Sequence, residues 1–358
     1  MTEPMRFHVV GLPHTHVTAA YPSCAFTQKV FRFCRMMKAN GHHVTLYAGE
    51  QNEAPCDEHV PCISETQRAE MVGRKHYTEA DWAHPHWAAF NANVIVEVGK
   101  RISPRDFICL IGGYEHKPIA DAFPNHLSAE FGIGYAGTFA KYRVFESYAW
   151  MHMIYGAEAG RADKKDGHWF DAVIPNQVDP ALFPYRGKDR RNNDYYLYVG
   201  RLIDRKGYSI AQEVCQRLGK RLVLVGPGDH KGYGEFHGEA TAAELGQLMA
   251  GARALFAPTQ YVEPFGTVTI EAMACGTPVI TTDWGAFTET VEQGVDGYRC
   301  RTLAEFMKAA DGVKALDHRL IHRRAMKRFS MDAVALQYDR YFRRLATLWG
   351  DGWYADAN

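Results

Sequence analysis

A chain of 358 residues, 46% hydrophobic and 23% charged, has the composition of a globular protein and the length of two domains. Basic and acidic side chains both number 41, so the basic footprint of a polyanion binder is missing. No run of about 18 apolar residues occurs, which excludes a membrane-spanning helix, and MTEPMRFHVVGL lacks the basic and apolar regions of a signal peptide.

FHVVG (7–11) is a short apolar run closing on glycine, and it predicts a buried strand. The helical pattern from about 25 to 39 carries an apolar face of Val30, Phe31, Phe33, Cys34 and Met37, and Asn40-Gly41 stops it. HHVTLYAG (42–49) predicts the next strand, which completes a βαβ unit. Residues 50–90 are polar, rich in histidine and without clear periodicity. NVIVEVGKRI (93–102) and FICLIGG (107–113) resume the apolar runs. The aromatic run YRVFESYAWMHMIY (142–155) reads as a core helix, with stacking on a sugar or base as the functional alternative. AVIPNQVD (172–179) closes the first half, and the charged, turn-rich KDRRNND (188–194) reads as a linker.

The pattern then restarts. Strands are predicted at 195–202, 221–229, 252–259, 277–285 and 297–300, and helices at 209–218, 267–275 and 286–293. Short apolar strands alternating with helices imply a parallel sheet covered on both faces. With one such set in each half, the expected fold is α/β, with two doubly wound domains. After Phe306 the chain is mainly helical. HRLIHRRAMKRF (318–329) is strongly basic, which suits either a packed helix with a solvated face or one lying on a membrane surface. The eight cysteines form no C-x-x-C pair and several sit in apolar runs, so they read as reduced, mostly buried thiols of a cytoplasmic protein.

Ligands of parallel sheets bind beyond the carboxyl ends of the strands. In the second half those ends bring Gly200-Arg201, Gly226-Pro227-Gly228, Thr259 to Glu263, and Asp283-Trp284-Gly285. Arg201 and Lys206 offer positive charge, and a helix starting near Gly266 aims backbone amides at the same crevice, a combination that suits a diphosphate. Glu263 and Glu271, eight residues apart, would repel that group unless each accepted hydrogen bonds from hydroxyls. A diphosphate flanked by polyols describes a nucleotide-sugar.

VGRLIDRKG, VGPGD, EPFGTVTIEAMACGTPVI, TDWGAFTE and the earlier VIPNQVD together resemble the retaining GT-B glycosyltransferases of family 4. Residues 195–300 match in order and spacing, residues 1–180 more loosely. The resemblance implies two Rossmann-like domains facing each other across a cleft: 1–187 on the acceptor side, 188–330 binding the nucleotide-sugar, and terminal helices (331–358) returning to the first domain. It implies that Arg201 and Lys206 bind the donor diphosphate, that Glu263 faces the sugar hydroxyls, and that Phe265, Gly266, Thr267 and Val268 form the loop and helix start that hold sugar and phosphate. Glu271 would hold the ribose. Gly226, and Gly11 in the loop after the first strand, complete the expected donor contacts. UDP is the expected nucleotide, and no further cofactor is expected. No D-x-D occurs, so no metal site is expected and activity should be metal-independent.

One element departs from the family pattern. The family places a histidine after a first-domain strand, and the corresponding FGIGYAGTFAKY (131–142) has none. His116 in GGYEHKP is the nearest substitute, followed by His14 and His16. The expected activity is transfer of a hexose to an acceptor hydroxyl in glycan or glycolipid synthesis, with a lipid-linked sugar among the acceptors and contact with the inner membrane face as an option. The alternatives are glycosylation of a modified base in viral DNA, nucleotide-sugar epimerisation, and a non-catalytic sensor. Acceptor identity and oligomeric state are left open.

Overall fold

The computed structural model describes residues 3–160, 166–187 and 194–348. The chain forms two compact units. One gathers Met1–Phe145, Asp166–Ile174 and Ala335–Asn358; the other gathers Glu146–Lys165 and Pro175–Val334. The chain first passes from one to the other after β6, upstream of the boundary expected at 188. Residues 188–193 of the expected linker lie outside the described residues.

The first unit contains β1 (Arg6–Val10), α1 (Ala25–Ala39), β2 (His43–Ala48), β3 (Glu58–Pro61), α2 (Glu65–Val72), α3 (His86–Gly99), β4 (Phe107–Leu110), α4 (Lys117–Ala122), β5 (Leu127–Ile133) and β6 (Tyr142–Phe145). After α5 (Tyr148–Ala159), which belongs to the other unit, β7 (Ala172–Val173) ends this sheet. The strand order is β3-β2-β1-β4-β5-β6-β7 and every pairing is parallel. Helix α1 buries Thr27, Val30, Phe33, Cys34, Met36 and Met37, and Phe31 is only half-buried. Gly41 ends it at φ 80°, a backbone region that costs a side-chain-bearing residue about 1–2 kcal/mol.

The second unit contains β8 (Tyr195–Val199), α6 (Tyr208–Arg217), β9 (Arg221–Val225), β10 (Glu235–Gly238), α7 (Ala242–Gly251), β11 (Leu255–Ala257), α8 (Thr267–Ala274), β12 (Val279–Thr282), α9 (Phe287–Thr290), β13 (Gly297–Cys300), α10 (Leu303–Gly312) and α11 (His318–Phe329). Its strands run β10-β9-β8-β11-β12-β13, again all parallel. Apolar clusters cover both faces of this sheet, one built around Leu197, Leu255 and Ile270, the other around Tyr196, Phe256 and Ile280. Such side chains each contribute about 1.5–3 kcal/mol on burial. The final helix, α12 (Met331–Thr347), sends Phe342 against Phe7, Phe33 and Phe107 of the first unit's core, the expected return of the terminal helix.

Three local expectations are corrected. YRVFESYAWMHMIY is not one core helix: its first four residues are strand β6, and α5 buries only Ile154 while Tyr148 and Met153 are exposed. The aperiodic stretch 50–90 contains β3, α2 and the start of α3. Helix α2 is set by a capping box between Ser64 and Gln67, not by an apolar stripe. NVIVEVGKRI is the C-terminal part of α3 and its exit. The basic α11 is a packed helix: Ile321, Ala325 and Phe329 are buried, Arg324 pairs with Glu292 and Asp296, and Arg328 donates to the carbonyls of Glu289 and Thr290. Among the described residues no helix is long and apolar enough to cross a membrane. All eight cysteines are free thiols, and all but Cys56 are buried.

Candidate active site

The order of the second sheet reverses between β8 and β11, because β9 and β10 extend one way from β8 while β11 to β13 extend the other. A doubly wound sheet opens a crevice at that switch point. A pocket of about 130 Å³ lies there, lined by Tyr198, Gly200, Lys206, Thr259, Glu263, Gly266, Thr267, Val268 and Phe287 among others.

The loop after β8 is stitched to the loop after β11. Gln260 donates from its backbone to the carbonyl of Arg205 (2.9 Å) and from its side chain to that of Asp204 (2.7 Å). This brings Lys206 Nζ to 2.8 Å from Glu263 Oε2. Tyr261, two residues before Glu263, lies under both cations of this loop, with the Arg205 guanidinium 4.6 Å and the Lys206 ammonium 4.9 Å from its ring centroid. Burial, then the neighbouring Glu263 carboxylate, push the Tyr261 phenol well above its ordinary range, so it stays an uncharged platform.

Gly266 precedes α8 at φ 79°, and a Cβ there would sit 2.5 Å from Phe287 Cε1. Only glycine turns the chain this sharply between Glu263 and the helix. The Thr269 amide donates to the Gly266 carbonyl (2.9 Å), while Thr267 and Val268, at the very start of α8, bring their amides to the wall of the pocket. Asn176 Nδ2 donates to Thr267 Oγ1 (3.1 Å) and Ser147 Oγ donates to the Pro264 carbonyl (2.7 Å), which fixes the EPFG loop from two further segments. Glu289 accepts from the Tyr148 and Ala149 amides and so holds the start of α5 in the same assembly.

The residues singled out from sequence divide into three groups. Lys206, Glu263, Gly266, Thr267 and Val268 line the one pocket. Gly226 packs behind it, where a Cβ would be 2.3 Å from the Gly200 carbonyl oxygen. Phe265 is buried in the core against Phe329, Glu271 is a buried residue in the second turn of α8, and Arg201 is exposed, its carbonyl accepting from Tyr198 Oη (3.0 Å). Gly11 and His116 belong to the first unit. Gly11 donates to the Tyr47 carbonyl and would meet Ala48 Cβ at 3.0 Å with a side chain. His116 is fully buried beside Trp87 and Phe90 and accepts from the Gly112 amide (3.0 Å). The sequence reading missed Tyr261, Asn176, Phe287 and Glu289 as individual contributors. Each lies inside a stretch it had singled out, but their partners are 50 or more residues away or come from side chains with no motif of their own.

Burial pulls the His116 imidazole down to about 3, and burial followed by Arg68 pulls His14 down to about 4. Both rings are neutral in the folded protein, while in the unfolded chain they take up a proton below about pH 6.5. Stability should therefore be complete above pH 6.5 and fall as pH drops toward 4, each ring costing roughly 2 kcal/mol by pH 5. Urea titrations at pH 7 and pH 5 should show this loss, and His116→Phe should reduce it. An unchanged pH dependence in that variant would contradict the assignment.

Residues 193–316 match the family model described as glycosyl transferases group 1. The matched segment includes the residues that line the pocket, from Tyr198 to Phe287. A glycogen synthase of Mycobacterium tuberculosis is 33% identical over 147 residues, which is 36% of this chain and 35% of that protein, so the chain spans about a third of this relative's length. Whole-chain likeness is structural. A glycosyltransferase involved in avilamycin A biosynthesis aligns over 96% of this chain and 98% of its own (TM-score 0.68, 20% identity). An Anabaena protein in complex with UDP-glucose aligns over 95% and 100% (TM-score 0.65, 17% identity). These likenesses show the GT-B fold around the group 1 segment.

Proposed function

We propose that this protein is a retaining hexosyltransferase that moves a sugar from a nucleoside-diphosphate-sugar to an acceptor hydroxyl. The observation that carries the reading is the convergence, at one switch point, of Lys206, Glu263 and the start of α8. The ammonium and the helix amides suit the charge that develops on a departing diphosphate. The Glu263 carboxylate, which accepts from Lys206 Nζ at 2.8 Å, suits the hydroxyls of a bound sugar. Arg201, exposed one residue beyond pocket-lining Gly200, completes the cationic side when a donor is present. Glu271 holds the ribose in this reading. The UDP-glucose complex of the Anabaena protein, which has the same fold, supports UDP as the nucleotide.

With the diphosphate charge met by Arg201, Lys206 and helix amides, we infer that turnover needs no metal. Activity should survive EDTA; complete loss on chelation, restored by a divalent cation, would contradict this. Function itself is tested by nucleoside diphosphate release across UDP-, GDP- and ADP-sugars, with proton NMR of the product anomer. Release with retention of configuration is expected. Conversion of the donor into a new sugar isomer without acceptor would identify an epimerase instead, and absence of release from every donor would reject the transfer reading.

A further inference from the structure

The motif VIPNQVD (173–179) contributes no residue to the wall of the pocket, yet it touches that wall at one point. Its later part, within the second unit, is anchored beyond the contact. The Val178 amide donates to the Phe329 carbonyl (2.8 Å), Val178 bridges to Ser330, and Asp179 accepts from the Ala181 amide (3.0 Å). Asn176, two residues before Val178, is only 8% exposed. Its Nδ2 donates to Oγ1 of Thr267, the first residue of α8, at 3.1 Å. Burial and the anchored backbone hold this amide in place.

The direction of that bond decides what the hydroxyl can do. A threonine hydroxyl has one hydrogen to donate and two lone pairs with which to accept. An amide nitrogen only donates, so Thr267 Oγ1 accepts from Asn176 and keeps its own hydrogen. Among the described residues no acceptor takes that hydrogen. Thr269, two residues on, shows the alternative: its Oγ1 donates to the Gly266 carbonyl (2.8 Å), and its hydrogen is used inside the helix. Thr267 lines the pocket together with Val268 and Lys206. A hydroxyl donor beside the backbone donors of a helix start and an ammonium is matched to an anion.

We propose that Asn176 is a positioning residue of the donor site: by donating to Thr267 Oγ1 it commits the Thr267 hydroxyl to act as a hydrogen-bond donor to the diphosphate. This rests on the transfer reading and adds a side-chain contact to the cations and amides of the pocket. Hydrogen bonds to an ionised acceptor are roughly twice as strong as neutral ones, so the contact tightens as negative charge gathers on the departing group. The hydroxyl therefore acts more on the rate of transfer than on capture of the intact donor. An aspartate in place of Asn176 reverses the arrangement, because its carboxylate only accepts and draws the Thr267 hydrogen to itself.

The test is a double-mutant cycle on the full chain. It is read by calorimetric titration with UDP, ADP and GDP, and by kcat and KM for nucleoside diphosphate release from the matching sugar donor. Thr267→Val, which keeps the shape of the side chain and removes the hydroxyl, should weaken the best-binding nucleotide about tenfold or more, whereas Thr267→Ser should stay within about threefold of the parent. Thr267→Val should also lower kcat by a larger factor than it raises KM. Asn176→Ala and Asn176→Asp should each weaken binding in the parent and do so far less in the Thr267→Val background. The proposal is overturned if Thr267→Val binds and turns over as the parent does, or if Thr267→Ser is as weak as Thr267→Val. It is equally overturned if the Asn176 substitutions cost as much in the Thr267→Val background, which would make Asn176 a brace for the loop alone. Failure of the unaltered protein to bind any of the three nucleotides would strike the transfer reading and this proposal with it; a parent that binds while the cycle shows no coupling strikes the proposal alone.

Discussion

Glu263→Ala is expected to lower kcat/KM by about a thousandfold or more while leaving the fold intact. Glu263 is only 9% exposed, and its backbone is held by the loop after β12, where Ala286 donates to its carbonyl at 3.1 Å. Its carboxylate is thus presented by rigid surroundings, the condition under which a polar contact to a reacting sugar is worth several kcal/mol. Folding depends on it less. The Lys206 partner is 23% exposed and can turn to water when the carboxylate is gone, so the stability lost should be about 1 kcal/mol. Nucleoside diphosphate release and thermal melting, measured on the same preparation, check both halves. Full activity in Glu263→Ala would remove the sugar-binding role from this residue.

Gly207→Ala should be the most damaging single-atom change near the pocket. Gly207 has φ 74°, and a Cβ there would lie 2.1 Å from the Pro258 carbonyl oxygen and 2.9 Å from its carbon. Backbone meets backbone, so no side chain can swing aside; the loop after β8 must leave the end of β11. That movement parts Lys206 from Glu263. The cost is about 1–2 kcal/mol for the left-handed conformation plus the displacement, about 3 kcal/mol or more in all. For a unit of this size the melting temperature should fall by roughly 6–12 °C. Gly219→Ala is the control, because Gly219 has φ 60° with nothing within 4 Å of the added atom and should show the conformational part alone. Calorimetric melts of the two variants should differ clearly; equal shifts would show that the contact with Pro258 is easily relieved.

The second unit was legible from sequence because its signals are local. Parallel strands buried on both faces read as unbroken apolar runs, as in RLVLV (221–225). Glycine and proline punctuate the ligand loops, and Gly266 marks the start of α8 within one residue. The first unit was harder to read. Helix α2 has one buried residue, Met71, and is defined by its cap, so periodicity alone passes over it. The stretch 142–155 misled because aromatic content was taken for burial. β6 is covered, but α5 faces outward and is anchored at its start by Glu289, 140 residues away. The aromatic group of Phe26, Trp82 and Tyr135 could not be foreseen at all, since its members come from three segments that only the sheet brings together. Tyr261 is a milder case: it stood in a stretch already marked as important, but the stacking of two cations over its ring is a property of the folded loops.

The central claim, that the switch point of the second sheet grips a diphosphate between cations and helix amides, is tested most directly by calorimetric titration with UDP, ADP and GDP. One of these should bind the unaltered protein, and Arg201→Ala combined with Lys206→Ala should weaken it about a hundredfold or more, with little change when Arg253, on the same unit, is replaced instead. Binding that is indifferent to the loss of Arg201 and Lys206, or no binding by any of the three nucleotides, would contradict it.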